Sequence, residues 1–185
     1  MNIVDQVRQF VEDECKKPTS CYGYEPFPYH FVPMIKYAQE LADEFGADKE
    51  IVTIATWLHD IGSIMIERKD HHITGAEIAR KKLEEFGYPK EKIDRVVACI
   101  LNHRGSVPKK RGTIEEQILA EADTISAFDD LTNLFDCALV WEHLSRPEAR
   151  KSVRTKLENK WKQLQFEKSK EMIRPKYEAA MLLLK

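Results

Sequence analysis

The chain contains no run of roughly 18 apolar residues, so no stretch of it reads as a transmembrane helix. Its N-terminus, Met1-Asn2-Ile3-Val4-Asp5, lacks the basic-then-apolar pattern of an export signal, which predicts a cytoplasmic protein. Strand signals are nearly absent. There is no run of alternating β-branched residues and no Asn-Gly or Asp-Gly hairpin turn. None of the four cysteines, Cys15, Cys21, Cys99 and Cys137, forms a C-x-x-C pair. Reduced thiols are therefore expected rather than disulfides or a thiolate zinc site. A formal net charge of −2 supplies no general attraction to nucleic acid or membrane, and neither is expected as a partner. No internal repeat or low-complexity segment is visible.

What remains is helical spacing almost throughout. At 185 residues, 43 % hydrophobic and 32 % charged, the chain is long enough to bury a core as one domain. The expected fold is all-α. Ile3, Val7, Phe10 and Val11 mark a first helix over 3–16. Prolines 18, 26 and 28 predict a loop over 17–30, rich in aromatics and suited either to a lid or to covering core. A second helix is expected over 31–45, ended by Gly46, and a third over 49–61, ended by Gly62. Thr74-Gly75 opens a fourth, Pro89 a fifth that closes near His103, and a sixth spans 113–128. Phe135, Ala138, Leu139 and Glu142 belong to a seventh. Ser145-Arg146-Pro147-Glu148 starts a long eighth reaching about Lys168, readable as a dimerisation arm or as a solvated amphipathic cover. A last helix reaches Leu184, with Pro175 as its kink or start.

Function is legible where this pattern is broken. His59 follows Ala55 by four and Val52 by seven, so it shares their inward face. His103 holds the same relation to Ile100 and Val96. Asp123 lies four after Leu119. Burying a carboxylate alone costs several kcal/mol, and a cation shared with buried imidazoles removes that cost. Taken singly, each residue has an ordinary explanation as a satisfied core histidine or an Asp paired with Arg. Taken together, five helices each bring a nitrogen or carboxylate ligand to one end. That donor set suits Mn²⁺, Fe²⁺, Co²⁺, Ni²⁺ or Zn²⁺, and Mg²⁺ less well.

The order His30 … His59-Asp60 … Asp123 resembles the H…HD…D motif of the HD-domain superfamily of metal-dependent phosphohydrolases. His59-Asp60-Ile61-Gly62 also matches its HDIG form, His72-Ile73-Thr74-Gly75-Ala76 resembles its H-x-x-G-A segment, and His103 sits where a further histidine closes a two-metal site. Ala120-Glu121-Ala122-Asp123 resembles the family's closing segment. The resemblance covers about residues 28–130. It implies a helical bundle with this core, flanked by the 3–16 helix and C-terminal helices over 133–185.

It further implies that His30, His59, Asp60 and Asp123 hold one metal. Asp60 would bridge to a second metal held by His72 and His103, and metal-activated water would attack phosphorus. His71 adjoins His72; the spacing to Gly75 favours His72. Asp60 and His59 are the expected catalytic residues. Arg104, beside His103, is the expected phosphate-binding cation, with Arg68, Lys69 and the Lys109-Lys110-Arg111 run as further basic groups. Ser63 stands where many members carry Lys and where the deoxynucleotidase branch carries Glu, so a mechanism through either is not expected. The substrate class implied is a small phosphorylated molecule such as a nucleotide. A di-iron oxygenase, a hydratase, and a non-catalytic metal- or nucleotide-binding module remain alternatives.

Overall fold

The computed structural model describes residues 1–104 and 111–185. Ten α-helices and no strand are present among them: α1 Ile3–Lys16, α2 Val32–Phe45, α3 Lys49–Leu58, α4 Ile61–Met65, α5 His71–Glu85, α6 Lys90–Asn102, α7 Ile114–Ser126, α8 Leu131–Asp136, α9 Arg146–Gln163 and α10 Glu167–Leu183. The all-α expectation holds.

The hub is α3. All eight residues from Ile51 to Leu58 are buried, as expected for a helix apolar on every side. Helices α1, α2, α6 and α7 pack against it, and α5 packs on α6. Full burial of Ile51, Ile54 and Leu58 contributes about 1.5–3 kcal/mol each. Asp48 caps α3 by accepting from the Ile51 amide at 3.2 Å, and Gly46 closes α2 in a left-handed conformation at φ 64°.

Several boundaries differ from expectation, each for a local reason. The predicted 17–30 loop ends in a π-helical turn, Phe27–Phe31, that runs directly into α2. Pro28 and Pro33 are tolerated because each lies in the first turn of its segment, where an amide is not needed. Within that loop Phe27 is core, stacked between Tyr24 and Trp57 at 5.6 and 5.5 Å, while Tyr22, Tyr24 and Tyr29 are exposed. The third helix stops at Leu58, and Gly62 lies inside α4 rather than terminating anything. Helix α5 begins at His71, three residues earlier than expected, after Asp70 at φ 55°. Helix α9 carries the expected capping box at Ser145 and Glu148 but ends at Gln163, well short of Lys168. Pro175 sits inside α10. All four cysteines are free; Cys15 and Cys99 are buried, whereas Cys21 is exposed and Cys137 half-buried.

Candidate metal centre

Asp60 occupies the break between α3 and α4, with φ −107° and ψ 11°. That sparsely used conformation is one that turn and active-site residues adopt. The two oxygens have separate neighbours. Oδ2 lies 3.5 Å from His59 Nε2 and 3.8 Å from His30 Nε2. Oδ1 lies 3.1 Å from His71 Nε2 and 3.9 Å from His103 Nε2. Within each pair the nitrogens are close: His30 and His59 at 3.1 Å, His71 and His103 at 3.2 Å. Asp123 on α7 completes the Oδ2 side, its Oδ1 3.9 Å from His30 Nε2.

The far nitrogen of each ring decides what the near one can do. His59 Nδ1 meets the Thr56 carbonyl at 2.8 Å, His71 Nδ1 the Arg68 carbonyl at 2.9 Å, and His103 Nδ1 the Ile100 carbonyl at 2.6 Å. A carbonyl only accepts, so each Nδ1 carries the proton. His30 Nδ1 lies 3.2 Å from Ser126 Oγ, whose single proton is donated to the Asp123 carbonyl at 2.9 Å, so His30 Nδ1 is also the donor. With Nδ1 protonated and the rings neutral, four bare Nε2 lone pairs would face one carboxylate and one another. That arrangement is repulsive without a cation, and the donor set fits one. The nitrogen separations agree: neighbouring ligands on one transition-metal ion, each about 2.1 Å from it, stand about 3.0–3.4 Å apart.

Without a cation, a proton on His59 takes part of that place. Burial would lower His59, but the adjacent Asp60 overrides it and raises the imidazole to about 9. Burial, aided by His59, lowers His103 to about 4 and also lowers His30. Burial would raise Asp60, yet His59, His30 and His103 hold it well below the usual carboxylate range. At Asp123 burial is likewise outweighed, first by the Lys160 ammonium and then by His59 and His30.

Of the expected ligands, the structure gathers His30, His59, Asp60, His103 and Asp123. It does not place His72 among them. The two groups of potential ligands are His30–His59–Asp60 and Asp60–His71–His103. The reason is helical rotation: successive residues point about 100° apart, and α5 opens with His71 toward Asp60. Spacing to Gly75 favoured His72 because the sequence does not show where α5 begins.

Two glycines make the approach possible. A Cβ on Gly62 would lie 2.4 Å from the His71 carbonyl oxygen and 2.7 Å from the Gly75 amide; one on Gly75 would lie 3.3 Å from the Gly62 amide. Helices α4 and α5 thus touch backbone to backbone, which carries His71 to the His59-Asp60 pair.

The cations divide. Arg104 is half-buried beside His103. Arg111 has its guanidinium engaged with the Asn102 and His103 carbonyls and Gln117. Arg68 and Lys69 are exposed, while Lys109 and Lys110 lie outside the described residues. Glu121 is structural, accepting from Gln117 Nε2 and the Gln165 amide, each at 2.8 Å. His143 is exposed. Helix α9, readable from the sequence as a dimerisation arm or a solvated amphipathic cover, also carries Lys160, whose charge acts on Asp123.

The HD domain family model matches residues 29–134, more than half of the chain. This protein belongs to the HD-domain family. Over 119 residues it is 33 % identical to the tRNA (cytidine(56)-2'-O)-methyltransferase of Picrophilus torridus, a match covering 57 % of this chain and 33 % of that one. It is 34 % identical over 101 residues to ribonuclease Y of Cutibacterium acnes, covering 53 % of this chain and 17 % of the relative. The chain thus spans a third or less of the length of these two relatives. Among solved structures, Bacillus subtilis YpgQ in complex with ADP superposes with TM-score 0.73 at 22 % identity, over 97 % of this chain and 92 % of that one. A predicted HD superfamily hydrolase from an uncultured Thermotogales bacterium does so with TM-score 0.55 at 22 % identity, over 85 % and 92 %. The last two likenesses bear on the fold. None of the helices among the described residues is long and apolar enough to cross a membrane.

Proposed function

We propose that this HD-domain protein is a metal-dependent phosphohydrolase that cleaves a phosphate ester or anhydride of a small molecule, a nucleotide being the favoured class. The observation that carries the reading is the Asp60 carboxylate set between two imidazole pairs, each ring held with its Nε2 inward. His30, His59, Asp60 and Asp123 would hold one divalent ion; His71, His103 and the second oxygen of Asp60 would hold another. Bound there, the metals supply Lewis-acid charge and lower the pKa of a water.

The chain's own residues do the rest. The backbone carbonyls of Thr56, Arg68 and Ile100 and the Ser126 hydroxyl keep the imidazoles oriented. His59, fully buried, and His103, nearly so, close the inner side against bulk water. His30, Asp60 and Asp123 are each about a quarter exposed and form the open side where substrate enters. Arg104 stands next to the His103 ligand as a phosphate-binding cation. The ADP in the YpgQ structure supports a nucleotide. The ribonuclease Y relative makes RNA the rival substrate, although it shares only the HD segment.

Elemental analysis combined with a screen of nucleotides, simple phosphoesters and a short RNA tests the proposal. Bound divalent transition metal with hydrolysis of a mononucleotide or phosphoester is the expected result. Full metal loading with no hydrolysis of any of them would point to a regulatory module. A redox-active di-iron centre without phosphatase activity would point to an oxygenase.

A further inference from the structure

His103 stands at the end of α6, just past its last helical residue, Asn102. Its ring is pinned to the Ile100 carbonyl of its own last turn, so the ring moves with the helix end. Helix ends fray, because their last carbonyls have no partner within the helix. A metal-ligand nitrogen, by contrast, must stand within about 0.2 Å of its place. Something other than α6 has to hold that end. Arg111 does so. Its Nε donates to the Asn102 carbonyl at 3.2 Å and its Nη2 to the His103 carbonyl at 3.4 Å, while Nη1 donates to Gln117 Oε1 of α7 at 3.2 Å. All three guanidinium nitrogens are thus committed, two to the end of α6 and one to α7. Gln117 in turn donates to Glu121, which also accepts from the Gln165 amide beyond α9. A second tie runs beside the first: Asn102 Nδ2 and the Gly112 amide both donate to Oε2 of the buried Glu116, at 2.9 and 3.0 Å.

We infer that Arg111 is a positioning residue: its guanidinium clamps the end of α6 to α7 and so fixes where His103 stands on the Oδ1 side of the metal centre. This rests on the metal-dependent reading above. Within the basic run Lys109-Lys110-Arg111, it separates Arg111 from the cations suited to substrate phosphate. A phosphate-binding arginine turns its fork toward the anion, whereas this fork is spent on two backbone carbonyls and a side-chain amide. An ordinary helix cap would need only the carbonyls. The third bond, to Gln117, makes the cap a strut between helices. Most of α7 is buried, so the strut rests on a fixed element. A rigid planar fork spans three acceptors in this way, which a single ammonium does not.

The test is Mn²⁺ binding to the full chain, with inorganic phosphate binding measured in parallel at saturating Mn²⁺. Arg111→Met should weaken one of the two ions by about tenfold or more, the usual effect of removing a group that orients a metal ligand. The other ion should bind as in wild type. In a His71→Ala background, which keeps only the Oδ2-side ion, Arg111→Met should change nothing. Phosphate affinity at saturating Mn²⁺ should also stay near wild type. Unchanged affinity for both ions in Arg111→Met overturns the assignment. So does an equal weakening in the His71→Ala background, which would mark a general loosening of the bundle. Lost phosphate binding with both ions tightly held would make Arg111 a phosphate ligand and overturn it too. A wild-type chain that never takes up a second ion would instead bring down the two-ion reading, and the assignment with it.

Discussion

The two oxygens of Asp60 face neighbourhoods built in different ways. On the Oδ2 side, His30 comes from a π-helical turn and is held through Ser126, 96 residues away, on the same helix that supplies Asp123. Only the packing of α2 and α3 against α7 assembles it. On the Oδ1 side, His71 and His103 are each pinned to a carbonyl three residues back in their own backbone. Their orientations are local, but their meeting depends on the contact of Gly62 with Gly75. One side is vulnerable to anything that loosens the bundle, the other to a single methyl group. Asp60 alone belongs to both.

Replacing the shared residue should therefore have the largest effect. Asp60→Ala is expected to abolish activity and sharply lower metal content while leaving helical content largely intact; normal metal loading would falsify the two-sided site. Gly62→Ala should come next and act on one side. Its Cβ has no room against the fixed backbone of His71 and Gly75. A destabilisation of about 1–3 kcal/mol in denaturant unfolding is expected, with metal lost preferentially from the Oδ1 side. Unchanged stability would mean that α4 and α5 do not touch as described.

The third prediction separates adjacent histidines. His71→Ala and His103→Ala should each reduce bound metal from about two ions to about one, while His72→Ala leaves it near two. The opposite result would restore His72 as the ligand. If wild type never binds more than one ion, the Oδ1 side is not a metal site and the comparison between the sides collapses.

The smallest effect lies away from both sides. Hydrogen bonds from Lys92 and Tyr88 lower the pKa of Glu50. Asp48 is lowered despite burial by the Ile51 amide and Arg95. A carboxylate whose folded pKa is depressed contributes stability above its unfolded pKa and loses it as pH falls through the folded one. Thermal stability should therefore decline below about pH 4, and Glu50→Gln with Asp48→Asn should blunt the decline. An identical pH profile in that double variant would assign the acid sensitivity elsewhere.

Much of this was readable from residues alone. The apolar run ending in His59-Asp60 read as a buried element with a polar end, and helical spacing on both sides of it made that element a helix. His103 and Asp123 betrayed themselves by standing on apolar faces. His71 did not, because two adjacent histidines at a helix start can be told apart only when the first helical residue is known.

The sequence by itself determined the helical class, the family and the candidate ligand types, since period and residue chemistry are local properties of the chain. Tertiary structure decided which histidine faces Asp60 and which ring nitrogen meets a backbone carbonyl. Those depend on helix rotation, on carbonyls left free at helix ends, and on how closely two backbones approach.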